Sequence, residues 1–254
     1  MSLNSCIIVY SHTEFSDILK IQTDKLKDIE CKKILFINKS DTSYPEYDQV
    51  CYYDDSLQYA SKLKSCLDQI EEDKFIFVHD NDIIVNVDCD FLNSLLEVMD
   101  EFDINKIDLK DSPYDKDSSI TTVKGVDIFE QRDTNQYVYN VNPSIWRKEY
   151  LDKVVTMFPD ATYRNIESPP VQYFCRNFKF AILKTPEPLK CGYFECNEFF
   201  KFLHITHGRV LLRLNEQCVN SQGQSYIDMK DDYKSMVDGY NLRESYMWDP
   251  LSNG

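Results

Sequence analysis

Four strand-length runs in the first third of the chain, nearly continuous in apolar residues and separated by segments of helical periodicity, limit the fold more than any other feature. They are Cys6–Tyr10, Ile34–Ile37, Gln49–Tyr53 and Phe75–Val78. A strand without a polar face must be covered on both sides, as strands are in a parallel sheet layered between helices. Between the runs, Thr13 can cap a helix bearing Phe15, Ile18, Leu19, Leu26 and Ile29, and Asp55 a second bearing Leu57, Ala60, Leu63, Leu67 and Ile70. Asp90 can cap a third, with Leu92, Leu95, Leu96 and Met99 inward. The expected fold is α/β and Rossmann-like, a mixed, mostly parallel central sheet flanked by helices, with a less regular C-terminal part. Ligands of such sheets sit beyond the carboxyl ends of the strands. Here those ends are Ser11-His12-Thr13-Glu14, Asn38-Lys39-Ser40-Asp41 and Asp80-Asn81-Asp82.

The second half is less periodic. Thr121–Asp133 and Gln136–Asn142 alternate like strands, which predicts a hairpin through Gln131–Asn135. Arg147–Phe158 reads as a helix, Pro169-Pro170 opens a short one through Phe174, and Phe178–Leu183 reads as a strand. Beyond Glu216 the sequence turns polar. No repeat or linker divides the chain, so one domain spanning 1–254 is expected.

Charge narrows the partners. With 43 acidic and 28 basic residues the net charge is −15, which disfavours nucleic acid and an anionic membrane surface. A small phosphorylated ligand remains compatible, because a metal ion and a few donors can reverse the field locally. Met1–Tyr10 has no basic leader, and no apolar stretch approaches the ~20 residues of a membrane helix. The nine cysteines fall largely within apolar patterns, as buried thiols of a cytoplasmic protein would.

Asp80 and Asp82 stand at i and i+2 directly after the fourth apolar run. Hard carboxylate oxygens there suit Mg²⁺ or Mn²⁺, which can bridge the phosphates of a nucleotide. The competing reading is a pair of solvated turn or cap residues. The stretch Phe75-Ile76-Phe77-Val78-His79-Asp80-Asn81-Asp82, the preceding Tyr59–Leu67, the opening Ile7–His12 and the later Asn142–Leu151 together resemble the GT-A glycosyltransferases with an Asp-x-Asp metal motif. The likeness covers about residues 6 to 185 and leaves the C-terminal third unmatched.

That resemblance implies a nucleotide-binding half over 1–110, an acceptor half over 111–215 and an extension over 216–254. It implies that Asp82 ligates the metal, that Asp80 contacts the metal or the ribose, and that Ser11, His12, Thr13, Asn38 and Lys39 lie near the nucleotide. The co-substrate would be a nucleotide-sugar. The acceptor would be a glycan or polysaccharide, with room for peripheral association at the cytoplasmic face of a membrane. For the base that deprotonates an acceptor hydroxyl, Glu167 before the Pro-Pro helix is the candidate, with Asp160 in reserve. Glu167 could equally serve the helix dipole. A late His204 or His207 could complete the metal shell, though on a strand only one could face it.

Other chemistries compete. Cys191, Cys196, His204 and His207 hold zinc-ligand types, but the interval between the two pairs is shorter than in fingers. Asp80, Asp82, Asp88 and Asp90 could hold Ca²⁺ in a non-catalytic module, although the segment lacks the glycine and terminal glutamate of an EF-hand. A phosphohydrolase would place its Asp pair after the first strand. A nucleotide-sugar pyrophosphorylase would carry a Gly-rich basic loop where Ser11-His12-Thr13-Glu14-Phe15 has no glycine. Trp146 and Tyr150 could wall a sugar site or simply pack in the core.

Overall fold

A computed structural model describes residues 2–111, 119–131, 138–186, 189–191 and 194–204. Its first half follows the apolar runs: β1 (Cys6–Tyr10), a single 3-10 turn (Thr13–Phe15), α1 (Ser16–Leu26), β2 (Lys32–Asn38), β3 (Gln49–Tyr53), α2 (Tyr59–Leu67), β4 (Lys74–His79), β5 (Asp82–Val87) and α3 (Cys89–Glu101). The second half adds β6 (Lys106–Asp111), β7 (Ser119–Val123), β8 (Val126–Glu130), β9 (Ser144–Arg147), α4 (Lys148–Met157), α5 (Pro169–Cys175), β10 (Phe180–Lys184), β11 (Leu189–Cys191), β12 (Phe194–Cys196) and β13 (Phe200–His204).

Nine strands form one sheet in the order β3-β2-β1-β4-β9-β6-β10-β8-β7, joined at β6 by the β11–β12 hairpin. The first four are mutually parallel, β9 runs against both β4 and β6, and β6 and β10 are parallel. This is the mixed, mostly parallel α/β architecture the apolar runs require. Alternation along each strand divides the core in two. Ile7, Val9, Leu35, Ile37, Ile76 and Val78 face one layer with α1 and α3. Cys6, Ile8, Ile34, Phe36, Phe75 and Phe77 face the other with α2, α4 and α5. A separate two-stranded pairing of β5 with β13 leaves the main sheet just past β4.

Several local expectations are corrected. The first turn is capped by His12, whose Nδ1 accepts from the Glu14 amide at 3.0 Å, rather than by Thr13. Helix α2 starts at Tyr59, so Asp55 lies in the preceding turn and Leu57 stays exposed. Asp88, not Asp90, caps α3 by accepting from Phe91 N at 2.9 Å. With two aspartates in reach, the one that directly follows β5 takes the cap because its backbone is still extended while Asp90 is already within α3. The hairpin turns at Lys124-Gly125, both at positive φ (47° and 82°), as a two-residue primed turn requires. Most of the expected turn through Gln131–Asn135 lies outside the described residues.

Trp146 is only 2% exposed and packs on Tyr139 and Phe180. Tyr150 packs on Phe178. Trp146 belongs to the core, Tyr150 packs half-buried against it, and neither lines the cleft described below.

Candidate active site

The carboxyl ends of β1, β2, β3 and β4 meet along one edge of the sheet. The chain leaving β1 is pinned there: Ser11 N donates to Phe36 O (2.9 Å), and Ser11 O accepts from the Tyr53 hydroxyl (2.7 Å). The chain leaving β4 is pinned beside it, since Asp80 N donates to Tyr10 O at 2.9 Å. These ladders bring Ser11 Oγ to 2.7 Å from Asp80 Oδ2, a buried hydrogen bond across 69 residues of sequence.

Above this pair opens a cleft of about 420 Å³, within the range of small-ligand pockets. Ser11, His12, Asp80 and Asn81 form its polar side, and Phe15, Tyr53 and Tyr59 are among its walls. Tyr10 stacks on Tyr53 (5.3 Å, 9°) and meets Tyr59 edge-on, and Tyr163 sits edge-on to Tyr59 and His79. The Tyr59 hydroxyl and His79 Nε2 are 2.7 Å apart. Burial keeps the phenols of Tyr53, Tyr59 and Tyr163 well above the usual tyrosine range, so the aromatic wall is neutral. On the rim, the Glu14 amide occupies His12 Nδ1, which leaves the ring proton on Nε2 for Asp55 Oδ2 at 2.9 Å. Lys62 Nζ also reaches Asp55, at 2.6 Å, and lies 5.1 Å from the Tyr53 ring centre.

Asp80 is 9% and Asp82 2% exposed, which excludes solvated turn residues. Burial pushes the Asp80 carboxyl up to about 7; the Ser11 hydroxyl and the Asn81 and His12 amides hold it down, and the Asp82 charge adds to the rise. Between the two carboxylates, Asn81 Oδ1 is buried and accepts no hydrogen bond among the described residues. Two buried carboxylates and an orphaned carbonyl oxygen within three residues fit a hard divalent cation, whose charge would offset the desolvation of Asp80. Among the described residues no group of three His, Cys, Asp or Glu side chains has metal-site spacing.

The other predicted residues are placed as follows. Thr13 and Asn38 bond each other, Thr13 N to Asn38 Oδ1 at 2.8 Å and Asn38 Nδ2 to Thr13 Oγ1 at 3.0 Å, and so shape the loop behind the cleft. Lys39 follows β2, its amide bonded to Tyr53 O. Glu167 is half-buried just before α5, with Oε1 accepting from Val141 N at 2.8 Å. Asp160 is exposed in the turn after α4 and does not line the cleft. His204 ends β13 at the register position opposite Asp82. His207 lies outside the described residues. Cys191 and Cys196 sit on β11 and β12.

The calcium reading fails on distance. Asp82 begins β5 and Asp88 follows its end, so the strand holds the two acidic pairs roughly 20 Å apart. Sequence reading missed β6 and with it Lys106, Asp108 and Lys110. Lys106 is fully buried and pairs with Asp108 at 2.5 Å beneath this edge. The alternation Lys-Ile-Asp-Leu-Lys was the available signal, but its charged face points inward.

No family model matches the chain, and no curated protein matches it in sequence. Solved structures similar to it include a cytidylyltransferase from Leptospira borgpetersenii at TM-score 0.47 and 9% identity, covering 95% of this chain and 99% of that one. A UDP-glucose pyrophosphorylase complexed with UDP-glucose follows at TM-score 0.47 and 9% identity, over 92% and 99% of the two chains. S. aureus TarS gives TM-score 0.48 and 13% identity, over 96% of this chain and 41% of that one. At such scores the fold assignment rests on the strand order and register described above.

Proposed function

We propose that the chain transfers a sugar from a nucleotide-diphosphate donor to a hydroxyl of a glycan or polysaccharide acceptor, as a cytoplasmic enzyme. The observation that carries this reading is the Ser11–Asp80 bond at the base of an aromatic-walled cleft, with Asn81 Oδ1 and buried Asp82 directly after it. The cleft has the size and neutral aromatic lining for a nucleoside, and Ser11 and His12 offer it polar contacts. Asp80, Asp82 and the Asn81 carbonyl would hold Mg²⁺ or Mn²⁺ where a diphosphate leaves the cleft, with His204 at the neighbouring register position as a further ligand. Such an ion supplies neutralisation of the departing diphosphate. Glu167, tethered by Val141 N, would accept the proton of the acceptor hydroxyl.

The test is thermal unfolding against UDP, GDP, dTDP and CMP, each with and without Mn²⁺. A ligand at 100 times its Kd adds about 2.7 kcal/mol, a rise of roughly 5–10 °C for a domain of this size. The expected result is a shift with one nucleotide that needs Mn²⁺ and disappears in Asp82→Ala. No shift with any nucleotide would sink the donor site. A chain that instead forms nucleoside triphosphate from nucleotide-sugar and pyrophosphate would be a pyrophosphorylase, not a transferase.

A further inference from the structure

We infer that Gln172 is a positioning residue for Glu167, holding its carboxylate in place through the segment 139–142. The inference rests on the reading of Glu167 as the base, and it adds a residue that no strand-end motif predicts.

The segment 139–142 leads into β9 at the ligand edge and is held from two sides. On one side the Asn140 side chain reaches the buried pair of β6. Its Nδ2 donates to Asp108 Oδ2 at 2.8 Å, and its Oδ1 accepts from Lys106 Nζ at 3.1 Å. The same Oδ1 accepts from Asn142 N at 3.2 Å. On the other side stand Gln172 of α5 and Glu167 just before that helix. Gln172 is 4% exposed; its Oε1 accepts from Tyr139 N at 2.8 Å, and its Nε2 donates to Tyr139 O at 2.7 Å. Two residues on, Val141 N donates to Glu167 Oε1 at 2.8 Å.

The chemistry of this contact calls for a glutamine. A primary amide gives and takes a hydrogen bond at once, as the backbone of Tyr139 does. Methionine of similar length would leave both backbone groups of a buried residue unmatched, and glutamate would supply no donor. Gln172 Nε2 also donates to Glu167 O at 3.1 Å. One amide thus fixes both ends of the glutamate: its backbone directly, and its carboxylate by way of Tyr139 and Val141. Among the described residues it is Oε1 of Glu167 that is bonded, which leaves Oε2 for an acceptor hydroxyl. A general base acts only within hydrogen-bond reach of its proton, and a misplacement of about 1 Å can cost about a hundredfold in rate. Gln172 does not line the cleft, so its loss should spare nucleotide binding.

Release of nucleoside diphosphate from UDP-glucose, UDP-GlcNAc, GDP-mannose and dTDP-glucose, with Mn²⁺ and with water as acceptor, would compare wild type, Gln172→Met, Glu167→Gln and the double variant. In this reaction the bond between the sugar carbon and the diphosphate oxygen breaks, the water oxygen bonds to that carbon, and its proton passes to Glu167. Gln172→Met should lower kcat about ten- to hundredfold and leave KM for the nucleotide-sugar unchanged. Glu167→Gln should lower kcat further, and Gln172→Met should add nothing in that background. Hydrogen exchange read by NMR gives a second measure: the Val141 amide should exchange faster in Gln172→Met while the amides of β1 and β4 keep their protection. Wild-type kcat or unaltered Val141 exchange in a folded Gln172→Met overturns the role of Gln172 and leaves the base standing. So does an equal further fall of kcat in the Glu167→Gln background. Wild-type kcat in Glu167→Gln overturns the base itself, and absence of turnover with every donor overturns the transfer on which both rest. Should Gln172→Met fail to fold, Asn140→Ala loosens the same segment from the β6 side and carries the same comparison.

Discussion

Lys106→Met removes one half of the buried ion pair beneath the site and leaves the other half in place. Lys106 is fully buried and Asp108 is 1% exposed. Lys106 Nζ also donates to Asn140 Oδ1 at 3.1 Å and lies 5.2 Å from the Trp146 ring centre, with Tyr139 and Phe180 each at 5.8 Å. Methionine fills nearly the same length and packs well on those rings, so the loss is electrostatic rather than a cavity. Asp108 would keep the Ser144 hydroxyl and the Asn140 amide but lose the ammonium in direct contact with it. Stranding a buried charge costs about 3–5 kcal/mol, a fall in Tm of roughly 6–20 °C for a domain of this size. Urea denaturation followed by circular dichroism would measure it. The double variant Lys106→Met/Asp108→Asn carries no buried charge and should recover at least half the loss, a coupling that a mutant cycle isolates. A cost below about 1 kcal/mol for the single variant would refute the reasoning, as would a double variant no more stable than the sum of its parts.

Two further outcomes follow from local structure. Asp88→Ala removes the cap of α3 and the partner of Lys124 (2.7 Å), and should cost about 1 kcal/mol, or roughly 2–4 °C in Tm by calorimetry. Burial pushes the thiols of Cys6 and Cys51 up to about 12 and about 11, so both stay neutral thiols from pH 6 to 9 and form thiolate only as pH climbs through those values. Alkylation at pH 8 should modify them only after unfolding, read by mass spectrometry of the two peptides. Labelling of either within minutes in the native state would contradict that burial.

What the sequence disclosed, and what it hid, follows from how burial and polarity are related. Residues 6–10, 49–53 and 75–78 are apolar wherever they are buried, so strand, covered faces and the ligand edge could all be read from them. Asp80 and Asp82 were legible because they interrupt such a run at its carboxyl end. Strand β6 was hidden because its buried face carries Lys106 and Asp108, which neutralise each other only once the chain has folded. Helix starts were misplaced where two capping residues competed, as at Asp88 and Asp90, and the choice depended on the strand entering the cap. Glu167 was visible as a residue before a Pro-Pro helix, but its tether to Val141, 26 residues away, was not.

The reversed direction of β9 has a consequence for how this molecule can change. Inserted between β4 and β6, it brings its entry loop, not its exit, to the ligand edge, and with it Val141 and Asn140. The edge is thereby split into two territories under separate covalent control. Loops leaving β1 and β4 shape one side and the approach to β9 the other, with Tyr163 of the approach to α5 reaching the first. Substitutions in one territory can alter its surface without redrawing the other, so a lineage can reshape one side of the edge while keeping its neighbour.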